Sequence, residues 1–341
     1  MKTVIGTYLI DAPFSALNNK GIDSRGGNEN EVSTKSIYSP EGVRPYVSGQ
    51  ALRYWWRNVL EEKYGWNCSP VEVVGKNQAV TKGNPLEYDD DDMFGYMSAR
   101  KEEVPGKKKL ENVTVTRVSP LKCSPLIGYP IRPTSDFGVL SRKTESDPIL
   151  FAHQFYSNIL KGIFSIDLDS VGKYTMINKS GSKNLSPALA EEYDSKGLKS
   201  GENVYEAPLE IKKKRVTDTL KAINYLNGGA MQALHHTDVT PKLIILAALN
   251  GGNNIFMNIM PHKNYENGLV NIDALYEVLD DYKDDLLTMV YIGILSGFET
   301  DKDKEIFHFK PPEGVQVEIT TPVKAVEMFT SELEDNVIKG E

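Results

Sequence analysis

The chain has 341 residues, 40% of them hydrophobic and 25% charged, which is the composition of a globular protein with a sizeable core and excludes wholesale disorder. Its length fits one large domain with insertions, or two domains of ordinary size. No apolar run approaches the about 18–20 residues of a membrane span, and the N-terminus lacks the pattern of a secretory signal. Two cysteines are too few for a disulfide framework or a cysteine-based zinc site. We therefore expect a cytoplasmic protein without a membrane partner.

The formal net charge of −8 is unevenly distributed along the chain. Residues 264–341 contain 18 acidic and 6 basic residues, whereas residues 1–263 carry a net charge of +4. The pI near 5.4 argues against a protein coated with nucleic acid, but it does not exclude one nucleic-acid groove on the less acidic part. The alternative interpretation is that the acidic part is only a solvated surface.

The chain begins with a clear strand pattern. Residues 3–12 are rich in β-branched and apolar side chains and predict a strand. The Gly- and Asn-rich residues 18–31 predict a loop, and residues 32–38 predict a short second strand.

The first helix is the most strongly predicted element. Ser48 is a favourable N-cap and Gly65 ends the pattern. Apolar residues recur in adjacent pairs four residues apart, which predicts one buried stripe. The stripe consists of Ala51, Leu52, Trp55, Trp56, Val59 and Leu60.

Two polar segments interrupt the apolar pattern. Residues 66–150 are rich in Gly, Pro, Asn and Lys and predict a large insertion. Residues 177–214 are rich in Lys, Ser and Gly and predict a projecting, mobile loop. Residues 150–168, between them, return to an apolar, strand-like pattern.

The C-terminal half supplies the remaining elements of one domain over residues 1–341. A second helix is predicted from about 216 to 226, and strands at 242–249 and 254–260 are predicted to form a hairpin. The later predictions are a helix at 272–282, an apolar strand or buried helix at 286–298, and a frayed acidic tail after residue 330. This order predicts an α+β fold of the βαββαβ type, with an antiparallel sheet and helices on one face.

Basic and amide side chains lie on the face of the first helix opposite its apolar stripe. Gln50, Arg53 and Arg57 share that face, and a polyanion lying across it would relieve the repulsion between the two arginines. Further donors for a phosphate backbone precede the helix, namely Arg25, Lys35 and Arg44. The alternative is a solvated basic face on which Arg57 pairs with Glu61.

Two other basic or glycine-rich positions are candidates for nucleic-acid contact. Gly228-Gly229 could cradle a phosphate, or could simply cap the preceding helix. Lys179 and Lys183 lie in a basic segment with apolar tips, which could clamp a single strand or be a disordered loop.

Catalytic and metal-binding candidates are weaker. His235 or His236 could act as a general acid–base in RNA cleavage, although a polar cap or core histidine is the plainer interpretation. Asp89–Asp92 could bind Mg²⁺, but successive side chains diverge, so we expect a solvated loop. We therefore predict neither a metal site nor a cofactor.

Two longer stretches carry a specific pattern. The first strand runs into Tyr8-Leu-Ile-Asp-Ala-Pro-Phe-Ser-Ala-Leu-Asn18, and the helix begins with Val47-Ser-Gly-Gln-Ala-Leu-Arg53. The Arg-Gly-Gly-Asn-Glu-Asn-Glu segment at 25–31 and the Gly228-Gly229 pair accompany them. Together these motifs resemble the DevR-like backbone subunits of type I-B CRISPR Cascade complexes.

The resemblance implies a fold and a mode of action. The family's palm domain is similar to an RNA-recognition motif, a ferredoxin-like antiparallel sheet, and carries a fingers insertion and a thumb β-hairpin. Residues 66–150 are then expected to be fingers-like and residues 177–214 thumb-like. Copies stack along the guide RNA (crRNA), hold its backbone independently of sequence, and leave its bases open to pair with target DNA.

The resemblance also implies residue roles. The expected RNA contacts on the palm are Asn18, Arg25, Lys35, Arg44, Ser48, Gln50, Arg53 and Arg57. Gly228 and Gly229 would form a loop beside the RNA, and Lys179 and Lys183 would be thumb contacts.

The expected partners are crRNA, target DNA through the guide, other copies of the chain and other Cascade subunits, with no enzymatic activity. Two alternatives remain open. One is a metal-independent CRISPR repeat endoribonuclease that uses His235 or His236. The other is a nucleic-acid-binding regulator that does not assemble into a larger complex.

Overall fold

A long first strand lies at the centre of the structure, because its β-branched and apolar side chains suit a sheet buried on both faces. The computed structural model of the protein describes residues 1–22, 31–74, 78–102, 106–107, 109–132, 134–140, 149–261 and 268–339. Within them, this strand pairs antiparallel with residues 149–167 on one side and with residues 243–250 on the other.

The secondary structure alternates short strands with helices of moderate length. The strands are β1 Lys2–Ser15, β2 Asn19–Ile22, β3 Glu31–Thr34, β4 Ser36–Ser39, β5 Gly42–Val47, β6 Glu72–Val74, β7 Gln78–Val80, β8 Tyr96–Glu102, β9 Glu111–Arg117, β10 Leu121–Cys123, β11 Leu126–Gly128, β12 Thr134–Leu140, β13 Ile149–Asp167, β14 Lys173–Thr175, β15 Lys199–Gly201, β16 Val204–Glu206, β17 Leu243–Asn250, β18 Val290–Ile294 and β19 Val317–Thr320. The α-helices are α1 Gly49–Tyr64, α2 Asp89–Phe94, α3 Pro187–Ser195, α4 Leu209–Ala222, α5 Gln232–His235, α6 Ile272–Asp281 and α7 Pro322–Asn336. Short 3-10 helices lie at Ile223–Tyr225, Ile255–Asn258, Lys283–Asp285 and Asp303–His308.

The main sheet joins twelve strands of the described residues, and its principal order is β19-β18-β17-β1-β13-β11-β5-β4. Most neighbours are antiparallel, but β18 and β19 pair in parallel, as do β13 and β3. The α+β class is therefore confirmed, while the purely antiparallel sheet that was predicted is instead a mixed one.

The sheet has two covered faces, because side chains alternate along β1. Val4 and Tyr8 point into a core with α1, α4 and α7, whereas Ile5 and Leu9 point into a second core with α6 and the 3-10 helices. The prediction that helices lie on one face only is thus wrong. Both sets of β1 side chains are apolar, so each face needs its own cover.

The predicted first helix is confirmed together with its caps. Ser48 Oγ accepts a hydrogen bond from the backbone N–H of Ala51 at 3.3 Å, and Gly65 adopts the left-handed φ of 65° that ends the helix. The predicted stripe is buried except for the partly buried Ala51. Trp56 at its centre packs edge-on against Phe164 of β13, with ring centroids 5.5 Å apart.

The predicted hairpin at 242–260 is half right. Residues 243–250 form β17, but residues 255–258 form a 3-10 helix instead of a partner strand. The reason is topological, since β1 and β18 already occupy both edges of β17. Asn254 fixes the turn by donating its side-chain amide to the carbonyl of Gly6 at 2.9 Å.

Helix boundaries in the C-terminal half also differ from the prediction. The second helix begins at Leu209, seven residues earlier than expected, and the tail that was expected to fray forms α7. Val326, Phe329 and Leu333 of α7 recur on one face and are buried, which explains why the acidic segment is helical. The helix predicted at 272–282 is confirmed as α6, and residues 290–294 form a strand.

Residues 177–214 do not form a projecting loop, and their one antiparallel pair of described strands, β15 and β16, is a short hairpin. They contribute α3, β15 and β16, and they pack with β14 around buried tyrosines. The hydroxyl of Tyr193 donates to Asn84 Oδ1 at 2.7 Å and accepts from the backbone N–H of Leu86 at 2.9 Å. This segment is therefore packed on residues 82–96 of the first insertion. The Lys- and Ser-rich surface conceals the few aromatic residues that form the small core.

The predicted solvated loop at Asp89–Asp92 is also wrong, because these residues form the buried helix α2. Asp92 accepts hydrogen bonds from Arg215 of α4 at 2.6 Å, from Arg117 of β9, and from the backbone N–H of Gly172. Arg215 also donates to Asp89 at 2.8 Å, and the pair Arg215 and Asp92 is almost completely shielded from solvent, at 1% and 0% exposure. We name this group, Asp89, Asp92, Arg117 and Arg215, the aspartate cluster.

The aspartate cluster joins three parts of the chain. Arg215 also donates to the backbone carbonyls of Pro85 and Leu86, and Arg117 donates to those of Lys173 and Ser170. Burial alone would lower the pKa of Arg215, but the neighbouring carboxylates raise it. The charged groups are thus fully hydrogen-bonded, which is the condition under which buried ions are tolerated.

Removing one partner should destabilise the protein strongly. We expect Arg215→Met to reduce the free energy of unfolding by about 3–5 kcal/mol, because it leaves buried carboxylates without their donor. Urea unfolding followed by circular dichroism measures this change. The matched control is Lys214→Met, whose exposed pair with Asp218 should contribute less than about 1 kcal/mol. Equal, small losses in both variants would contradict this view of the cluster.

Candidate nucleic-acid interface

The segments that follow β1 and β5 meet at the N-terminus of α1. Asn18 Oδ1 accepts a hydrogen bond from the backbone N–H of Ser48 at 3.1 Å, and the backbone carbonyl of Asn18 accepts from the N–H of Lys35 at 2.7 Å. The structure thus brings three predicted contact residues together. Gln50, in the first turn of α1, is exposed beside them.

The glycine pair packs against the same place. Gly228 lies on the indole of Trp55, where a Cβ would come within 2.3 Å of the ring, and Gly229 lies on Leu17. Both glycines have positive φ, of 153° and 116°. Ala230, the next residue, donates its N–H to the carbonyl of Leu17 at 2.9 Å. The loop therefore requires glycine because the backbone approaches α1 and β1 closely.

We name this meeting point the Asn18 junction, defined by Asn18, Lys35, Ser48, Gln50 and Gly228-Gly229. It combines the free N–H groups of a helix N-terminus with amide and hydroxyl side chains, which are the donors that bind phosphate oxygens. The amine of Lys35 has no carboxylate within ion-pair distance among the residues that the structure describes. The arrangement is therefore suited to an anionic, extended ligand.

Arg44 lies at the border of the junction, on the strand that leads into it. Its guanidinium donates to the carbonyl of Gly128 at 3.4 Å, across β5 and β11. Arg25 lies outside the described residues.

Arg53 and Arg57 of α1 both contact residues of the first insertion. Arg53 donates to the carbonyls of Leu121 and Phe94, at 2.9 and 2.5 Å, and burial lowers its pKa. Arg57 Nε lies 3.1 Å from Asp90 Oδ2, so its partner is Asp90 and not Glu61. Both guanidinium groups stack on the ring of Phe94, at 4.9 and 4.5 Å. The two arginines thus hold the insertion against α1.

Lys179 and Lys183 lie on the packed insertions. The carbonyl of Lys183 accepts from the N–H of Thr116 on β9 at 2.8 Å, and the side chain of Lys179 is exposed. In the described residues, no recorded contact joins either lysine to the Asn18 junction.

A long β-ribbon next to the junction was not predicted. Residues 134–140 of β12 pair with residues 149–155 of β13 beyond the main sheet. On one face of the ribbon Phe151, His153 and Phe155 alternate, and His235 lies 5.9 Å from His153 and 6.3 Å from Phe155 between ring centroids. The period-two spacing of these three residues was the available signal. On the other face, Phe137, Val139 and Leu150 are exposed.

One cavity lies away from the junction, between the two insertions. It has a volume of about 510 Å³, and its lining includes Lys82, Arg100 and Glu102. These three charges are paired with each other or with Glu72.

The described residues contain no helix that is both long enough and apolar enough to cross a bilayer. They also contain no group of three or more His, Cys, Asp or Glu side chains suited to holding a metal ion.

Residues 12–266 match the family described as "CRISPR-associated negative auto-regulator DevR/Csa2". The match extends over well more than half of the 341 residues, so the chain belongs to this CRISPR-associated family. The family resemblance drawn from the motifs around Asn18 and Ser48 is thereby confirmed.

Two solved structures have a similar fold. One is a chain of a "CRISPR RNA-guided surveillance complex", with 11% identity, a TM-score of 0.50, and coverage of 96% of this chain and 98% of that chain. The other is a chain of a "CRISPR RNA-guided surveillance complex, pre-nicking", with 12% identity, a TM-score of 0.54, and coverage of 96% and 99%. At such identities the likeness concerns the fold alone. Curated protein sequences gave no match.

The close approach of Gly228 to α1 predicts a steep penalty for any side chain. We expect Gly228→Ala to lower the free energy of unfolding through two effects. One is backbone strain at a positive φ, and the other is overlap of the methyl group with the Trp55 ring, which adds about 1–3 kcal/mol. The control is Gly197→Ala, which has a φ of 70° but meets no atom, and should lose only about 1–2 kcal/mol. Urea unfolding of both variants compares them, and equal losses would show that the Trp55 contact is unimportant.

The contact between His235 and His153 predicts a dependence on pH. Burial, and then the neighbouring His153, lower the pKa of His235 from its ordinary 6.5. The folded state therefore resists protonation, so its stability should be greatest above pH 6.5 and fall as the pH drops below that value. Unfolding midpoints between pH 5 and 8 measure the effect.

His235→Phe should flatten this profile, since it keeps the ring contact with Phe155 but cannot titrate. His236→Asn is the matched control, because His236 is exposed and its left-handed φ of 46° suits asparagine. A profile that His236→Asn flattens equally would point away from His235.

Proposed function

We propose that this protein is a backbone subunit of a CRISPR RNA-guided effector complex of the Cascade type, and that it holds crRNA at the Asn18 junction. The observation that carries the proposal is the convergence of Asn18, Ser48 and Gly228-Gly229 at the start of α1, although they are separated by up to 211 residues of sequence. The family and the fold of the surveillance-complex chains support the same conclusion.

In this proposal, the central part of the sheet is the RRM-like palm. Its order β17-β1-β13-β11, with α1 after β1 and α4 after β13, is the order expected when two βαβ units interlock in a ferredoxin-like sheet. Residues 66–128, without the ribbon, would be the fingers-like insertion. The 177–214 segment packs on that insertion and would belong with it.

We assign the thumb-like role to the ribbon of β12 and β13 in place of residues 177–214. A strand of 19 residues spans about 60 Å, and its first third runs beyond the palm. The ribbon starts beside the junction and exposes the apolar side chains Phe137, Val139 and Leu150 at its surface. These are the properties of an arm that reaches over a bound strand or onto a neighbouring copy.

The junction suits recognition of the RNA backbone and not of particular bases. Its donors are main-chain N–H groups, short polar side chains and the amine of Lys35, which bind phosphate and sugar oxygens in any sequence. A subunit that must accept every guide needs this indifference. Target recognition would then depend on base pairing between the guide and DNA.

In this proposal, Arg53 and Arg57 act first as positioning residues. Their contacts with Phe94 and Asp90 orient the insertion on α1, next to the exposed Gln50. An RNA phosphate near the helix would approach guanidinium groups that are already oriented by the protein.

Assembly along RNA would require different surfaces on the two sides of each copy, since head-to-tail contacts build open filaments. Partners in the complex would be other copies, further Cascade subunits, and target DNA through the guide. The proposed role requires no catalysis, and we propose a cytoplasmic location.

A second function, regulation through nucleic-acid binding, is favoured by one observation, the words "negative auto-regulator" in the family description. It would give one discrete complex on a preferred sequence. The proposed nuclease has less support, because His235 Nε2 is shielded from solvent and lies against the ribbon.

The decisive measurement is binding of the purified protein to single-stranded RNAs of increasing length and scrambled sequence, followed by native mass and nuclease footprinting. We expect copies to add stepwise, with a periodic footprint and equal affinity for all sequences. Lys35→Ala should weaken every complex and reduce the salt slope of binding by about 0.7, the share of one phosphate contact. Lys324→Ala, on α7 in the helix layer, is the matched control.

Other outcomes have distinct meanings. One tight complex on a single sequence would support the regulator. Cleavage of RNA by the unmodified protein, with no cleavage by His235→Phe, would support the nuclease. RNA binding that is unaffected by Lys35→Ala and Gln50→Ala would contradict the role of the junction.

A further inference from the structure

The chain that leads from α4 into β17 has a stretch without any buried side chain. Leu226 and Val239 are buried, at 3% and 1% exposure, but none of the residues 227–238 between them is. The short helix α5, Gln232–His235, lies in the middle of this stretch. We name residues 227–238 the latch segment. A stretch with so little apolar burial belongs to the least stable parts of a fold, which open before the rest unfolds.

Backbone strain is concentrated in and around the latch segment. Among the described residues other than glycine, positive φ occurs at Phe14, Asn203, Met231 and His236. Met231 and His236, at 55° and 46°, enclose α5. Phe14, at 45°, precedes Ser15, whose hydroxyl lies 2.7 Å from the hydroxyl of Thr237. The left-handed conformation is unfavourable for residues with a Cβ, and least tolerated where the side chain is not short and polar, as in Met and Phe.

Hydrogen bonds, and not apolar packing, hold the latch segment in this conformation. The side-chain amide of Gln232 donates to the carbonyls of Gly228 and Thr237, and so joins the two ends of the segment. The backbone N–H groups of Leu234 and His235 both donate to the carbonyl of Met231, at 3.0 and 3.1 Å. Strained backbone persists only where surrounding contacts impose it, and it is typical of segments that switch between conformations.

The latch segment contacts the ribbon of β12 and β13 through the side chain of His235. Its ring lies 5.9 Å from the ring of His153 and 6.3 Å from that of Phe155, between centroids. His235 Nε2 and His153 Nδ1 are both shielded from solvent and have no hydrogen-bond partner among the described residues. Shielding a polar nitrogen without a partner costs free energy, and opening the contact would return both nitrogens to water. The contact therefore holds the ribbon while it favours its own release.

We propose that residues 227–238 are a strained latch with two conformations. In the closed conformation, which the structure shows, α5 is formed and His235 holds the ribbon in place. In the open conformation, Met231 and His236 leave the left-handed region, α5 unwinds, and the ribbon moves independently of the latch segment. The free protein samples both conformations, so the latch itself does not depend on RNA. What the released ribbon then engages rests on the proposed function.

Hydrogen exchange of the free protein tests the latch, because a bonded amide exchanges only when its hydrogen bond opens. The reporters are the amides bonded inside the latch segment, those of Leu234, His235 and His236. Met231→Gly removes strain from the closed conformation, since glycine adopts positive φ readily. We expect exchange of the reporter amides to slow by about three- to tenfold in this variant.

Asn203→Gly is the matched control for this measurement. Asn203 has a similar φ of 61°, but it lies between β15 and β16 on the packed insertions. The variant should leave exchange of the reporter amides unchanged. Exchange that is unchanged or faster in Met231→Gly would overturn the latch. Reporter amides that exchange as slowly as the amides of β1 would also overturn it, because the segment would then open only when the whole protein unfolds.

A second pair of variants tests the connection between the latch segment and the ribbon. His235→Ser removes both ring contacts, so exchange of the amides in residues 149–155 of β13 should rise by at least about threefold. The control is Leu234→Ser, which changes the neighbouring side chain, itself 68% exposed. Equal ribbon exchange in the two variants would mean that the latch segment does not hold the ribbon, and the proposal would fail.

These measurements also separate the latch from the proposed function, because they use the free protein. A protein that binds no RNA would contradict the proposed function, yet its reporter amides would still respond to Met231→Gly if the latch exists. A protein that binds RNA, with reporter amides that do not respond, would lose the latch and keep the Asn18 junction.

Discussion

The buried pairing of Asp92 with Arg117 and Arg215 is the interaction on which the rest of the structure depends. Two arginines and a carboxylate are removed from water here, which is tolerated only because their remaining hydrogen bonds are satisfied by backbone groups from three segments. Arg215 belongs to α4, which packs on the main sheet, Arg117 belongs to β9 in residues 66–150, and Lys173 begins β14. The carboxylate of Asp92, with its two arginine partners, thus connects both polar insertions to the helix that packs on the sheet.

The orientation of α2 carries this effect to the proposed RNA site. The same helix presents Asp90 to Arg57 and Phe94 to both Arg53 and Arg57, so the insertion is attached to the outer face of α1. The opposite face of α1 packs Trp55 against Gly228, and its N-cap residue is held by Asn18. The helix is therefore fixed on all sides before any ligand arrives. A preorganised site of this kind loses less conformational entropy on binding than a flexible one.

The sequence predicted those elements that are determined by residues within the element itself. Ser48, Gly65 and the apolar stripe were sufficient for α1, and the β-branched run was sufficient for β1. Long-range partners could not be predicted in the same way. The carboxylate of Asp92 looked solvated because its partners are 25 and 123 residues away in sequence. Residues 255–258 read as a strand because nothing in them reveals that both edges of β17 are occupied. At the site, the motif around Ser48 was recognisable, but the ribbon and the contact of His235 depend on the register of β12 and β13.

The division of the basic residues explains how an acidic protein can be suited to a polyanion. Arg53, Arg57, Arg117 and Arg215 carry four of its positive charges, yet each is used inside the protein on carbonyls, carboxylates or aromatic rings. A count of basic residues, or the net charge, therefore says little about where nucleic acid binds. The informative residues are those such as Lys35 and Lys161, whose amines have no carboxylate partner among the described residues. Balanced charges hold the fold, and the unbalanced ones mark the surface where an anionic ligand gains most from binding.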